Sequence, residues 1–141
     1  MARRKRRRTG TANAIIEEQL DKHARALEES ALKADLLTFV GPIEGGAEDV
    51  VRDAVEFRCD DRRTKKPKLA VLLETPGGYI EVVQRVVNTL RNHYRQVDFI
   101  IPNFAMSAGT VLALSGDNIF MDYYSILGPI DPQSSRLFYT L

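Results

Sequence analysis

The strongest constraint on the fold is an alternation of short apolar runs with segments of helical periodicity. Residues 69–73 and 97–101 form two such runs, and apolar runs of this length are typical of buried parallel strands. Between them, apolar side chains recur at the spacing of one helix face: Ile80, Val83, Val86, Val87, Leu90 and Tyr94. A strand, a helix and a strand in this order predict βαβ units, a mostly parallel sheet and right-handed crossovers.

The same pattern extends to both sides of this unit. Residues 36–40 and 118–121 are predicted to be strands, and residues 47–57 and 107–114 are predicted to be helices. Residues 14–34 lack Gly and Pro and carry an apolar stripe at helical spacing, formed by Ile16, Leu20, Ala24, Leu27 and Ala31. We therefore expect an N-terminal amphipathic helix that packs on the domain or on a neighbouring subunit.

The charged residues are distributed unevenly along the 141-residue chain. Six of its 20 basic residues lie in residues 3–8, and the remainder carries 14 Lys and Arg against 19 Asp and Glu, a net charge of about −5. Such a block cannot pack, so residues 1–13 are predicted to be a disordered basic tail. A solubilising leader is the preferred interpretation, because the block lacks aromatic interleaving; contact of the tail with nucleic acid or anionic lipid is the alternative.

Several classes of protein are disfavoured by composition. No apolar run approaches the roughly 20 residues that span a bilayer, and no secretory hydrophobic region follows the basic start. The single cysteine, Cys59, fits a reducing compartment, so we expect a cytoplasmic protein. One cysteine and two distant histidines, His23 and His93, give no zinc spacing, and neither a metal nor an organic cofactor is expected.

Two loops follow consecutive predicted strands and could carry chemistry. Pro76-Gly77-Gly78 opens the first helix of the βαβ unit, and Ala105-Met106-Ser107-Ala108-Gly109 opens the next. The first is compatible with a simple turn or with backbone N–H groups that face a cleft. The second resembles a relaxed nucleophile elbow, although Ser107 could also merely cap its helix. Together, the loops place N–H donors opposite a serine hydroxyl, as acyl transfer requires.

Three motifs occur in one order and spacing: residues 73–78, residues 101–110 and Leu127-Gly128-Pro129-Ile130-Asp131-Pro132-Gln133. They resemble the serine dehydrogenase proteinase family, a branch of the ClpP/crotonase superfamily related to signal peptide peptidase A. The resemblance covers residues 36–133. It implies an α/β fold built as a ClpP/crotonase-like spiral of βαβ units, preceded by the N-terminal helix.

The resemblance also implies a serine endopeptidase that acts on peptide or protein substrates through an acyl-enzyme. Ser107 would be the nucleophile, and Gly77, with Gly78 beside it, and Ala108 would form the oxyanion hole. Self-assembly into a homo-oligomer is implied as well. In this interpretation residues 35–141 form the peptidase domain, incomplete at its C-terminal end, because relatives continue through further strands and helices.

The general base is where the chain departs from the family pattern. Clp peptidases use a histidine after the serine and signal peptide peptidase A uses a lysine, but residues 126–132 contain neither. Asp131 is the titratable group near the expected position, where it could orient a base from elsewhere or cap the turn before Pro132.

Two other functions remain open. A non-catalytic assembly or binding module of the same fold would explain the missing base. A crotonase-type acyl-CoA enzyme shares the two-donor oxyanion hole but has no use for a serine at the helix start. Replacing Ser107 by alanine should abolish hydrolysis in a peptidase and change little in either alternative.

Overall fold

The computed structural model describes residues 12–60 and 65–130. Helix α1 spans Ala12–Ala26 and continues into a π-helical segment at Leu27–Leu32. The elements that follow are β1 Asp35–Val40, α2 Ala47–Asp60, β2 Lys68–Glu74, α3 Ile80–His93, β3 Gln96–Ile101, β4 Phe104–Ala105, α4 Ala108–Leu114, β5 Asn118–Met121 and β6 Ile126–Leu127. This succession confirms the predicted mixed α/β fold with an N-terminal helix.

The strands form two parallel sheets. The larger sheet has the order β1-β2-β3-β5, and every neighbouring pair in it is parallel. The smaller sheet pairs β4 with β6, also in parallel. Because successive strands of the larger sheet are neighbours and run in one direction, the loops that leave β2 and β3 lie at the same edge.

One face of the larger sheet carries the hydrophobic core. Alternate residues of β2 and β3 point towards the helices, as the two-residue period of a strand requires. Helix α3 supplies four buried side chains of its own, Val82, Val83, Val86 and Leu90. The strand side chains that meet α2, α3 and α4 in this core are Leu69, Val71, Leu73, Val97, Phe99 and Ile101.

Two short elements were not predicted from the sequence. Strands β4 and β6 are two residues each, too short to show a hydrophobic period. They nevertheless matter for the site, because β4 follows β3 in the chain and the loop that carries Ser107 comes directly after β4.

Candidate active site

The turn after β2 is shaped around two glycines that no other residue could replace without strain. Gly77 has a φ of 104° and Gly78 a φ of 151°, both in the region that disfavours side chains. A β-carbon on Gly78 would lie 2.0 Å from the carbonyl oxygen of Ile43. The reason is that Ile43 pairs with this turn: its N–H donates to the Gly77 carbonyl at 2.8 Å, and its carbonyl accepts from the Tyr79 N–H at 2.9 Å.

The loop after β3 places Ser107 in an unusual backbone conformation. Its φ is 51° and its ψ is −120°, a combination that side chains rarely adopt and that is a known feature of functional sites. Ser107 immediately precedes α4, but its side chain makes no capping hydrogen bond to the helix. The structure therefore does not support the capping role considered from the sequence. The backbone conformation of Ser107 instead places its side chain on a tight strand-to-helix turn.

The two loops are hydrogen-bonded to one another. The Thr75 N–H donates to the Phe104 carbonyl at 3.2 Å, and the Met106 N–H donates to the Thr75 carbonyl at 3.0 Å. A β-carbon placed on Gly77 would lie 2.7 Å from the Met106 carbonyl oxygen and 3.0 Å from Cβ of Ser107. The structure thus brings together the glycine turn and the serine loop that the sequence singled out.

The backbone N–H groups at this contact differ in their partners. The Gly77 N–H donates to Oγ1 of Thr75 at 3.1 Å. The Gly77 carbonyl points to Ile43 and the peptide that joins the glycines is trans, so the Gly78 N–H points away from Ile43, to the side of the serine loop. Within the described ranges, the Gly78 N–H has no hydrogen-bond acceptor.

The start of α4 offers a second such donor. The Gly109 N–H donates to the Met106 carbonyl at 2.8 Å, and the Thr110 N–H donates to the Ser107 carbonyl at 2.9 Å. In the part of the chain that the structure describes, the Ala108 N–H has no acceptor, as expected for a first-turn amide. Gly78 and Ala108 therefore each present an N–H group without an acceptor among the described residues, one on each of the two loops that meet at Ser107.

Three buried residues that support this site were missed in the sequence. Thr75 and Ile43 have no exposed surface, and Oγ1 of Thr110 lies 2.8 Å from the Ala105 carbonyl and 3.0 Å from the Gly128 carbonyl. The threonine before Pro76-Gly77-Gly78 was the available signal for the first, since threonine hydroxyls often accept from the residue two positions on. Nothing in the sequence connects Ile43 with Gly78, because that contact is non-local.

Three of the described lysines have their contacts at the opposite edge of the sheet. Lys65 donates to the His93 carbonyl at 2.7 Å, Lys66 to the Glu28 carbonyl at 2.6 Å, and Lys68 pairs with Asp98 at 2.6 Å. Strand β2 runs from this edge to the turn, a distance of about 20 Å. Among the residues that the structure describes, no histidine or lysine is hydrogen-bonded to Ser107.

Other sequence predictions cannot be placed. Asp131 and residues 1–11 of the predicted basic tail lie outside the described residues, and residues 12 and 13 of that tail begin α1. Within residues 12–60 and 65–130, no group of three or more His, Cys, Asp or Glu side chains is arranged to hold a metal ion. None of the helices described here has the length and hydrophobicity of a bilayer-spanning segment.

The chain is similar in sequence to a known family and to two archaeal proteins. The family model of ClpP-like SDH-type serine proteinases matches residues 43–138. The uncharacterized protein MJ0137 of Methanocaldococcus jannaschii is 36% identical over 84 residues, which are 59% of this chain and 29% of its own length. The uncharacterized protein MJ1495 of the same organism is 38% identical over 103 residues, 72% of this chain and 35% of its own. The chain thus spans about a third of the length of these relatives.

Two solved structures share the fold. Both are mutant forms of the 1510-N membrane-bound stomatin-specific protease, and the second is a complex with a substrate peptide. Each has a TM-score of 0.59 and covers 69% of this chain, with sequence identities of 21% and 23%. The matched region is 47% and 44% of those two chains. At such identities the likeness shows the fold alone.

Proposed function

This chain belongs to the ClpP-like SDH-type serine proteinases, and from this premise we propose that it is a serine endopeptidase with Ser107 as its nucleophile. The observation that carries the proposal is the position of Ser107. Its backbone is held at a φ of 51° at the start of α4, directly against Gly77. A serine that neither caps its helix nor lies in a relaxed conformation is best explained by a chemical role.

The proposed reaction proceeds through an acyl-enzyme. Oγ of Ser107 attacks the peptide carbonyl carbon, its proton passes to a base, and the carbonyl oxygen becomes an oxyanion. The tetrahedral intermediate then collapses: the C–N bond breaks, the leaving amine takes a proton, and the acyl group stays on Ser107. Water later hydrolyses this ester and returns the proton to Ser107.

We assign the oxyanion hole to the N–H groups of Gly78 and Ala108. Both lie at the contact between the two loops, and neither is used within the described part of the chain. Gly77 contributes differently, because its own N–H is engaged by Thr75. Its role in the proposal is to let the backbone approach Ser107 and to set the direction of the Gly78 N–H.

The proton acceptor comes from outside the described contacts of Ser107. Asp131 is the titratable group that the sequence offers near the expected position, where it would orient a base supplied by another subunit or by another part of the protein. A peptide substrate, a cytoplasmic location and assembly into a homo-oligomer belong to the same proposal. The domain division into residues 1–13, 14–34 and 35–141 is also part of it.

One observation favours a second function. Since no histidine or lysine of residues 12–60 and 65–130 is hydrogen-bonded to Ser107, a non-catalytic binding or assembly module of the same fold would also explain the site. Such a module could still recognise an extended peptide at the exposed side chains beside the turn, Tyr79 and Ile80. It would not need a reactive serine.

Covalent labelling with a fluorophosphonate, followed by intact-mass measurement, distinguishes these functions. We expect one adduct on the wild-type chain and none on Ser107→Ala. Ser115→Ala is the matched control, because Ser115 lies at the other end of α4 and donates to the Leu112 carbonyl. It should keep the adduct. A folded wild-type chain that takes no label would contradict autonomous catalysis and support the binding module.

A further inference from the structure

Thr75 lies at the seam between the two loops of the site and is completely buried. Its backbone is paired with Ala105 across a parallel bridge. Through this bridge it donates its N–H to Phe104 and accepts from Met106. The residue therefore holds the end of β2 against the segment that leads into Ser107.

The two branches of the Thr75 side chain contact different halves of the site. Oγ1 accepts the Gly77 N–H at 3.1 Å. The methyl group faces the first turn of α4 so closely that a β-carbon on Gly109 would lie 2.2 Å from Cγ2. One buried side chain thus contacts both the glycine turn and the helix that follows the serine.

The hydrogen bond to Thr75 has a consequence for the neighbouring peptide. Both backbone polar groups of Gly77 are hydrogen-bonded, because its N–H donates to Oγ1 of Thr75 and its carbonyl accepts from the Ile43 N–H. These two bonds restrict rotation about a glycine that has no side chain to restrict it. The plane of the Gly77–Gly78 peptide is fixed as a result, and so is the direction of the Gly78 N–H.

We propose that Thr75 is a positioning residue for the oxyanion hole, acting through the hydrogen bond from Gly77 on the N–H of Gly78. This inference rests on the proposed function, because an oxyanion hole has meaning only if Ser107 reacts. Thr75 does not touch the substrate. Its hydroxyl withdraws the Gly77 N–H from the cleft and leaves the Gly78 N–H as the donor that faces Ser107.

Two substitutions separate the branches of the side chain. Thr75→Val keeps the methyl group against Gly109 and removes the hydroxyl, whereas Thr75→Ser keeps the hydroxyl. Val71→Ala is the control for general destabilisation, because Val71 is a core residue in the middle of β2 and belongs to neither loop. All variants are compared at equal folded fractions, as judged from their thermal midpoints.

The first measurement is amide hydrogen exchange by NMR, which does not depend on catalysis. In Thr75→Val the Gly77 N–H should exchange faster by roughly 10-fold or more relative to the Phe99 amide of β3, and in Thr75→Ser it should stay protected. Val71→Ala should raise exchange at both amides together. An unchanged ratio of Gly77 to Phe99 exchange in Thr75→Val would overturn the hydrogen bond and the proposal with it.

The second measurement is the rate of fluorophosphonate labelling of Ser107 in the same samples. Thr75→Val should label about 10- to 100-fold more slowly, the range expected when an oxyanion donor is misplaced, and Thr75→Ser should recover the rate. Equal rates in Thr75→Val and the wild type, with altered exchange at Gly77, would reject the positioning role alone. Absence of labelling in every variant, the wild type included, would instead reject the proposed peptidase and this role as a part of it.

Discussion

At the scale of single residues, the backbone conformation of Ser107 is one that lowers the stability of the fold. Its φ of 51° and ψ of −120° cost a residue with a side chain free energy that glycine would not lose. The surrounding contacts maintain this conformation: the Ser107 carbonyl accepts from Thr110 and Val111, and the preceding carbonyl accepts from Gly109. The strain is therefore balanced by the first turn of α4.

This balance predicts that Ser107→Gly is more stable than Ser107→Ala. Glycine should relieve the backbone strain and gain about 1 kcal/mol, after the entropy that it adds to the unfolded chain is subtracted. Alanine keeps the strain and removes the hydroxyl. Urea unfolding of the two variants measures the difference. Equal midpoints would mean that the φ of 51° carries no cost in this protein.

Sequence motifs identified part of this site and could not identify the rest. The Pro-Gly-Gly turn and the small residues around Ser107 are local signals, so both loops could be predicted. The different partners of Gly77 and Gly78 could not, because they depend on Ile43 and on the Thr75 side chain. A glycine pair in a sequence does not show which of its two N–H groups is free.

At the scale of elements, the long periodic segments were predictable and the short ones were not. The sequence shows most of the buried face of α3, although Ile80 is exposed and Val82 is buried, and β2 and β3 appear as apolar runs. Strand β4 has two residues, and its pairing with β6 depends on contacts between residues 104–105 and 126–127. Such pairing arises from tertiary structure and leaves no periodic trace.

Strand β3 also contains a charge that an apolar pattern would not place in a sheet. Asp98 has 1% of its surface exposed, and it pairs with Lys68 of the neighbouring strand at 2.6 Å. The amides of Asn118 and Gln96 donate to the same carboxylate. The carboxylate thus connects β2, β3 and β5, because one side chain accepts from residues of all three strands.

We predict that Asp98→Asn lowers the free energy of unfolding by about 3 kcal/mol, because it leaves the Lys68 ammonium without its carboxylate. Asp117→Asn is the comparison: Asp117 pairs with Arg91 at 2.6 Å, but both side chains are more exposed, so the loss should be about 1 kcal/mol or less. Urea unfolding at pH 7 measures both. A cost for Asp98→Asn no greater than that for Asp117→Asn would contradict the importance of this pair.

At acidic pH, the difference in the free energy of unfolding between the wild type and Asp98→Asn should become smaller. Burial raises the pKa of Asp98, but hydrogen bonds from Lys68, Asn118 and Gln96 outweigh it and leave the pKa below its usual value. A lowered pKa stabilises the fold above the unfolded-state value, near 4, and this contribution is lost as the pH falls through the folded-state pKa. The gap between the wild type and Asp98→Asn should therefore narrow below about pH 4 and stay constant above pH 6.

At the scale of the whole molecule, the described residues form a packed α/β body preceded by a helix, α1, that stays largely exposed. No residue of α1 is buried, and the side chains on its apolar stripe include Ile16, 56% exposed, and Leu20, 64% exposed. A helix of about 15 residues is marginal in water without packing. The stripe was predictable from its spacing, but its partner was not, since periodicity shows which face is apolar and not what covers it.

The resemblance to a self-assembling family leads us to predict that a second copy of the chain covers this stripe. Burying it would give α1 packing that residues 12–60 and 65–130 of the same chain do not supply. Leu20→Glu should then shift the protein towards the 15.9 kDa chain mass in sedimentation velocity at matched concentrations. Lys22→Gln makes the same change in net charge at an exposed residue outside the stripe and should leave the distribution unaltered. A wild-type chain that sediments as a monomer at tens of micromolar would show that α1 has a different partner. A shift in both variants would point to the change in charge, instead of the loss of apolar burial, as the cause.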